Sequence, residues 1–424
     1  MMAGHAEAML LHQAHVRAML AWLFGDPTTW ISGARGGPSR NETESAAQSA
    51  ITPSRLSIAK DRCTVGGVAW ATPQHTRGQV DAAGEYLAQL FKDPSSVEFE
   101  EFDRSFAILD NWRASHSYPL QALKMTLIGR ARSVDERAVV AQRLKRVASV
   151  AGKLARYDGM KLSRMHDIGG CRAVVKSLKD VIRLQGIHEE RAGRAGRAEL
   201  VKPYDYISTP KADGYRSVHL VYKYRTRSEH LSVYNGLRIE VQLRSRLQHI
   251  WATAVEMAST FTGQALKSNI GDEDWKRFFV LMSSLLALKE RAPLVPGTPT
   301  VRAELIAEAA GLADRLGVEA SFEAWRTAIK HLPVQKKEGA NLFLLELNAT
   351  TRELSTTAYE KGQAAKANED YAAAEKRTVS QPEIQVVLVS VDSVAALPRA
   401  YPNYYLDTRA FLAELRSSDV GEVT

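Results

Sequence analysis

The stretch "RIEVQLRSRLQHIWATAVE" (238–256) changes its period in the middle. Over its first eight residues Ile239, Val241 and Leu243 fall on one side, and Glu240, Gln242 and Arg244 on the other, which is the two-residue period of a strand. From Ser245 onward the pattern is helical, running through "SRLQHIWATAVEMASTF". A strand with an apolar back and three polar groups in front reads as part of a sheet that lines an active site. The plainer alternative is an edge strand whose polar face is only wet.

Upstream, "CRAVV" (171–175) and "VHLVYKYRT" (218–226) are further β-rich runs bounded by Gly, Pro, Asp or Asn, so the middle of the chain is α/β. Before them, "TRGQVDAAGEYLAQL" (76–90) has helical spacing with Thr76 placed to cap it. The spacing predicts a second helix through 105–133. It predicts a third, basic one over "DERAVVAQRLKRVASVAGKLARY" (135–157), broken near Asp158 and Gly159.

Downstream, a long helical region continues through "EDWKRFFVLMSSLLALKERA" (273–292) until "PLVPGTPT" (293–300) interrupts it. Beyond, 301–332 reads as helical. "NLFLLELN" (341–348) and "EIQVVLVSV" (383–391) read as strands around a charged helix at 360–377. The expected organisation is a disordered N-terminal extension over 1–67, an α/β domain with flanking helices over 68–292, and a small C-terminal accessory α/β module over 301–424. The extension is expected because 26–66 is rich in Gly, Ser, Thr, Pro and Arg without periodicity.

The 424 residues are 45% hydrophobic and 25% charged, an ordinary globular composition with room for roughly two to three domains. Lys and Arg number 56 against 48 Asp and Glu, and the resulting +8 favours anionic partners without choosing among them. Cys63 and Cys171 stand far apart with no metal-type spacing, which argues against a disulfide framework or a structural zinc and for a reducing cytoplasm. His12, Gln13, His15 and Arg17 interrupt the apolar patches near the start, so neither export nor a membrane anchor is expected. "AYPNYYLDT" (400–408) is aromatic enough for a partner surface, though such tyrosines equally belong to core and rim.

Four segments carry candidate chemistry. In "RLKRVASVAGKL" (143–154), Arg143, Lys145, Ser149 and Lys153 recur at helical spacing, a row able to hold a triphosphate or merely a solvated basic face. In "MHDIGGCRAVV" (165–175), Asp167 precedes a strand, where a carboxylate suits magnesium; the alternative is a turn aspartate paired with Arg172. In "DYISTPKADGYRSVH" (205–219), Lys211 can meet a phosphate, Gly214 permits a bend, Tyr215 offers a flat face for a base, and His219 follows on the emerging strand. A hairpin with a polar tip would look similar. The fourth segment is the opening one.

Taken together and in order, RxKxxxSxxxK, DIxGxR, DYIxxPKxxGYxSxH and EVQLRS resemble the synthetase domain of the RelA/SpoT family, over about 75–265, and the whole chain looks most like its small, synthetase-only branch. The resemblance implies a nucleotidyltransferase-like mixed sheet that moves diphosphate from ATP to a ribose 3′ hydroxyl of GDP or GTP, with Mg²⁺ or Mn²⁺. It implies that Arg143 and Arg172 sandwich the adenine and that Lys145, Ser149 and Lys153 face the phosphates. Asp167 and Glu240 are then the acidic, metal-holding pair, with Glu240 also activating or orienting the hydroxyl. Tyr215 is expected to stack on guanine, with Lys211 and His219 around the acceptor phosphates and Gln242 and Arg244 beside them. Asp213 and Arg216 stand where long members of the family have Asn and Gln, which leaves the 3′ end of tRNA as an alternative acceptor. A degenerate nucleotide sensor is a second alternative. No HDxxED motif is present, so hydrolase activity is not expected. A homo-oligomer and a regulatory partner for the C-terminal module complete the expectations.

Overall fold

The computed structural model describes residues 62–65, 68–93, 96–191, 198–261, 272–327, 330–331, 340–348, 350–360, 362–378, 381, 384–391, 397–400 and 409–419. A hairpin opens the described chain: β1 (Arg62–Val65) pairs antiparallel with β2 (Val68–Ala71). A strand therefore stands six residues before the predicted start of the folded part at Val68. Cys63 is buried against the first helices, and that burial is what a composition-based reading of a Ser- and Thr-rich stretch misses.

Three helices follow, α1 (Arg77–Lys92), α2 (Phe99–Ser115) and α3 (Ser117–Arg132). Thr76 caps α1 as predicted, in a capping box with Gln79. The segment expected to be one basic helix is instead β3 (Val139–Leu144) followed by α4 (Val147–Arg156). β3 lies inside the sheet and its burial shows no clean alternation, and a short run of that kind cannot be told from a helix by period alone.

The remaining elements are β4 (Gly169–Val175), α5 (Leu178–Glu190), β5 (Ala198–Asp205), β6 (Val218–Tyr224), β7 (Arg238–Ser245), α6 (Arg246–Phe261) and α7 (Glu273–Glu290). Then come α8 (Arg302–Leu316), α9 (Val318–Thr327), β8 (Lys330–His331), β9 (Leu342–Asn348), β10 (Glu353–Tyr359), α10 (Ala364–Arg377), β11 (Ile384–Ser390) and α11 (Arg409–Asp419). The strand-to-helix change at Ser245 falls where the period changes. β5 and β10 escape the sequence reading: β5 is an edge strand carrying Pro203 and a bulge between Leu200 and Lys202, and an edge tolerates both.

Nine strands form one mixed sheet among the described residues, in the order β5-β6-β7-β4-β3-β11-β9-β10-β8. β4 and β7 run parallel; β3, β6 and β11 are antiparallel to their neighbours. The break at 293–300 thus separates helices but not sheets, because β11 pairs directly with β3 and carries β9 and β10 beyond it. Helices α9 and α11 likewise pack on α7 through Phe278, Phe322 and Phe411. The strands after residue 340 extend the central sheet rather than founding their own. The tyrosine-rich segment 400–408 lies outside the described residues except Ala400, as does the N-terminal stretch before Arg62.

Candidate active site

Register puts the polar side chains together. Arg143 on β3 pairs with Gly170 on β4, which pairs with Glu240 on β7. One step along, Arg172 pairs with Gln242, and Gln242 with His219 on β6. Partners across a ladder share a face, so Arg143, Arg172, His219, Glu240 and Gln242 all stand on one side of four adjacent strands. Arg143 and Arg172 are diagonal neighbours, a relation that spaces side chains by about 7–8 Å, enough for a flat ring between them. At Gly170 an added Cβ would meet only the Glu240 carbonyl oxygen, at 3.9 Å, so this glycine leaves open floor between Arg143 and Glu240.

The cleft above this face holds about 310 Å³. Arg143, Lys145, Lys153, Asp167 and Arg172 line one half; Lys211, Tyr215, His219, Glu240, Gln242 and Arg244 line the other. Ser149, one turn into α4 and half-buried, is not among its lining residues. Because of the break between β3 and α4, Lys145 sits before the helix rather than on it, so of the expected row only Ser149 and Lys153, four residues apart, share a helix.

The two lysines converge instead on Asp167. Nζ of Lys145 is 2.8 Å from Oδ2 and Nζ of Lys153 is 3.0 Å from Oδ1. Burial acts to raise the Asp167 carboxyl, and the two ammonium groups outweigh it and hold the group well below the usual carboxylate range. Asp167 also faces a smaller recess of about 50 Å³ whose lining includes Glu240, Gly170 and Arg172.

Glu240 closes a ring of hydrogen bonds. His219 Nδ1 is 2.9 Å from Glu240 Oε1, and Gln242 Nε2 donates to Oε2 at 2.7 Å. Arg244 Nη2 donates to Gln242 Oε1 at 3.1 Å and to the Tyr215 hydroxyl at 2.8 Å, and that hydroxyl lies 2.7 Å from His219 Nε2. Burial would raise Glu240, but the His219 charge prevails and brings it down to about 2. Burial would lower His219, but Tyr215 and Glu240 prevail and raise it to about 9. The ring therefore carries an anion and a cation locked together near neutral pH.

The turn between β5 and β6 is both things its sequence allows: a hairpin connection and one wall of the cleft. Asp213 Oδ1 accepts from the Tyr215 amide at 2.9 Å, and Gly214 adopts φ 86°, a left-handed conformation that suits glycine. A side chain at Gly214 would meet the Trp251 ring at 2.9 Å and the Ser283 Cβ at 3.1 Å, so the loop lies flat on α6 and α7. Arg216 does not face the cleft. It is buried, donating from Nε to Ser283 Oγ at 3.1 Å and to the Pro293 carbonyl, and it fastens the loop to α7. The Lys211 ammonium lies 4.3 Å from the Tyr206 ring centre and 5.3 Å from that of Tyr215.

Sequence reasoning missed Tyr206, Trp251, Glu256, Lys276 and Phe279, which also line the cleft. Tyr206 stacks on Tyr204 with ring centres 6.0 Å apart. It stood in the quoted turn, and its neighbour Lys211 was the available signal. The α6 and α7 residues give no such signal, since a helix face turned to a cleft has the same apolar pattern as one turned to a core.

The donors available to a metal are all hard oxygens. Asp167 and Glu240 face one recess, and an ionised carboxylate offers about four lone-pair sites, two of which Glu240 leaves unused. Among the described residues no group of three or more His, Cys, Asp or Glu encloses a metal. Two carboxylates without a full cage fit a divalent ion that shares its remaining positions with phosphate oxygens. No helix among the described residues is long and apolar enough to cross a membrane.

Residues 142–263 match the family described as the region found in RelA / SpoT proteins, so the resemblance carried by the four motifs is borne out over that span. GTP pyrophosphokinase YwaC of Bacillus subtilis (strain 168) is 28% identical over 117 residues, which are 26% of this chain and 52% of that protein. GTP pyrophosphokinase YjbM of the same organism is 32% identical over 116 residues, 27% of this chain and 52% of that protein. The chain thus spans about half the length of the curated relatives it matches. Among solved structures, small alarmone synthetase 1 from Bacillus subtilis bound to its product pppGpp is 24% identical, with 42% of this chain and 89% of that chain covered and a TM-score of 0.35. Small alarmone synthetase 2 from Bacillus subtilis is 18% identical, covering 50% of this chain and 97% of that one, with a TM-score of 0.35.

Proposed function

We propose that this RelA/SpoT-region protein is a pyrophosphokinase that transfers the β,γ-diphosphate of ATP to the ribose 3′ hydroxyl of GDP or GTP. One observation carries the reading: two ionised carboxylates face one recess, with a pair of lysines on one flank and a cation between two tyrosine rings on the other. In the transfer the bond between the α,β-bridging oxygen and the β-phosphorus breaks, a bond from the 3′ oxygen to that phosphorus forms, AMP leaves, and the hydroxyl proton passes to solvent. Such a transition state asks for placement and charge more than for covalent help.

Arg143 and Arg172 flank the adenine, and Lys145 and Lys153 turn from Asp167 to the phosphates. Asp167 and Glu240 would hold Mg²⁺ or Mn²⁺, which would neutralise charge on the transferring group and bring phosphate and hydroxyl into line. Glu240, with its pKa held to about 2, is a weak base. Its part is to accept the hydrogen bond of the 3′ hydroxyl and aim it. The acceptor base lies against Tyr215 or Tyr206, with Lys211 at its phosphates. Lys211 lies beside both rings and Arg244 beside that of Tyr215, a compact cluster of cations and rings that favours a small nucleotide over tRNA. The relatives named GTP pyrophosphokinases support the same choice.

The test is incubation of the purified protein with γ-labelled ATP and, separately, GDP, GTP and bulk tRNA. Label should move to the guanine nucleotides, stop in excess chelator, and not be released from added alarmone. Transfer to tRNA with none to GDP or GTP would overturn the acceptor assignment.

The hydroxyl of Tyr215 has a part that the ring alone does not. Because it receives Arg244 and adjoins His219, Tyr215→Phe should lower kcat about tenfold, as expected for one lost buried hydrogen bond of about 1–3 kcal/mol. Unchanged kcat in that variant would show that the face of the ring is all that matters.

A further inference from the structure

A deeply buried charged cluster lies behind the cleft, not in it. Arg113 on α2 and Glu375 on α10 form an ion pair at 2.9 Å, with side chains only 3% and 4% exposed. Arg113 Nε donates to the Lys145 carbonyl at 2.9 Å, and its guanidinium lies 5.2 Å from the centre of the Tyr371 ring. Glu375 Oε1 accepts from the Tyr371 hydroxyl at 2.9 Å and from the Val147 amide at 3.4 Å. The Val147 amide belongs to the first turn of α4, where the helix dipole favours a carboxylate.

The pair therefore grips residues 145–147 from both ends, by a carbonyl and by an amide. Those residues join β3 to α4 and carry Lys145, whose amide donates to Ile168 beside Asp167. Taking two charges out of water is expensive, and an apolar pair of similar volume often leaves a protein as stable or more so. Stability alone does not explain a pair that spans 262 residues of sequence and ends on the backbone of a cleft lysine.

We propose that Glu375, through Arg113, is a positioning residue for Lys145, so that helix α10, outside the matched 142–263 region, sets the phosphate-facing half of the cleft. The inference rests on the ATP reading above for its kinetic consequence, but not for its geometric one.

Two variants separate positioning from mere support. Glu375→Gln keeps the shape and leaves Arg113 with only Asp110, at 3.4 Å, as an anionic partner; Arg113→Met/Glu375→Leu removes both charges of the 2.9 Å pair, keeps the volume filled and leaves Asp110, whose side chain is 40% exposed, to solvent. The double variant should melt within a few degrees of the parent. Both variants should raise the KM for ATP about tenfold while leaving the KM for the guanine nucleotide within twofold. A second readout needs no turnover: the rate at which an amine-reactive reagent modifies Lys145, followed by peptide mass spectrometry, should rise severalfold in both variants. A double variant that melts normally and shows parental ATP KM and parental Lys145 reactivity would overturn the proposal. If the parent itself fails to use ATP, the function assigned above fails, and Lys145 reactivity alone still decides whether the clamp exists.

Discussion

Glu240→Gln is expected to lower diphosphate transfer at least about 10²-fold in a protein that still folds. Glutamine matches the shape of glutamate but changes both ends of its contacts. The carboxylate now accepts from Gln242 at Oε2 and faces His219 at Oε1. An amide can accept from only one of them, and its NH₂ must then point at a donor. The carboxylate charge that, after Tyr215, helps raise His219 to about 9 also disappears, so the ring loses one of the two supports of its cation. What survives is the apolar back of β7, where Ile239, Val241 and Leu243 are buried. Circular dichroism should therefore show the parental fold while the transfer assay shows the loss. Near-normal turnover would remove Glu240 from the chemistry.

How much of this was legible in the sequence depends on which physical signal each residue left. The alternation of 239–244 is a local signal, and it gave both the strand and the polar face that carries Glu240, Gln242 and Arg244. The turn at 205–219 declared its residues by type, because a glycine at φ 86° and an Asp that accepts the Tyr215 amide are local requirements as well. The single helical row expected of Lys145, Ser149 and Lys153 fails for the opposite reason. Whether Lys145 and Ser149 share a helix depends on where β3 stops, and that is fixed by pairing with Gly169–Val174 and with β11, more than 240 residues away. The same holds for Arg216, whose departure from the family pattern suggested a changed acceptor. Its guanidinium goes to Ser283 and Pro293, so at that position the substitution bears on how the loop is fastened to α7. The Arg113–Glu375 pair was invisible, since nothing in either local segment marks a charged residue as buried. Long-range pairing, rather than residue type, is the information that the linear pattern lacks.

Asp167→Asn should behave differently from Glu240→Gln, and the difference tests the assignment of the two halves of the cleft. Asp167 holds two ammonium groups at 2.8 and 3.0 Å, and those contacts must be surrendered when a triphosphate arrives. Removing the charge frees Lys145 and Lys153 beforehand. The phosphates then meet two cations without displacing a carboxylate, so ATP affinity should hold or tighten. The metal loses one of its two anionic ligands, and kcat should fall at least about 10²-fold. The protein itself should be less stable without nucleotide, by about 1–3 kcal/mol, because two partly buried ammonium groups are left facing each other with no anion between them. Bound ATP supplies that anion. The rise in melting temperature on adding ATP should accordingly be larger for the variant than for the parent, whatever the state of the chemistry. A variant in which ATP affinity and turnover fall together would assign Asp167 to holding the lysines in place. One with parental kcat would remove it from the metal altogether.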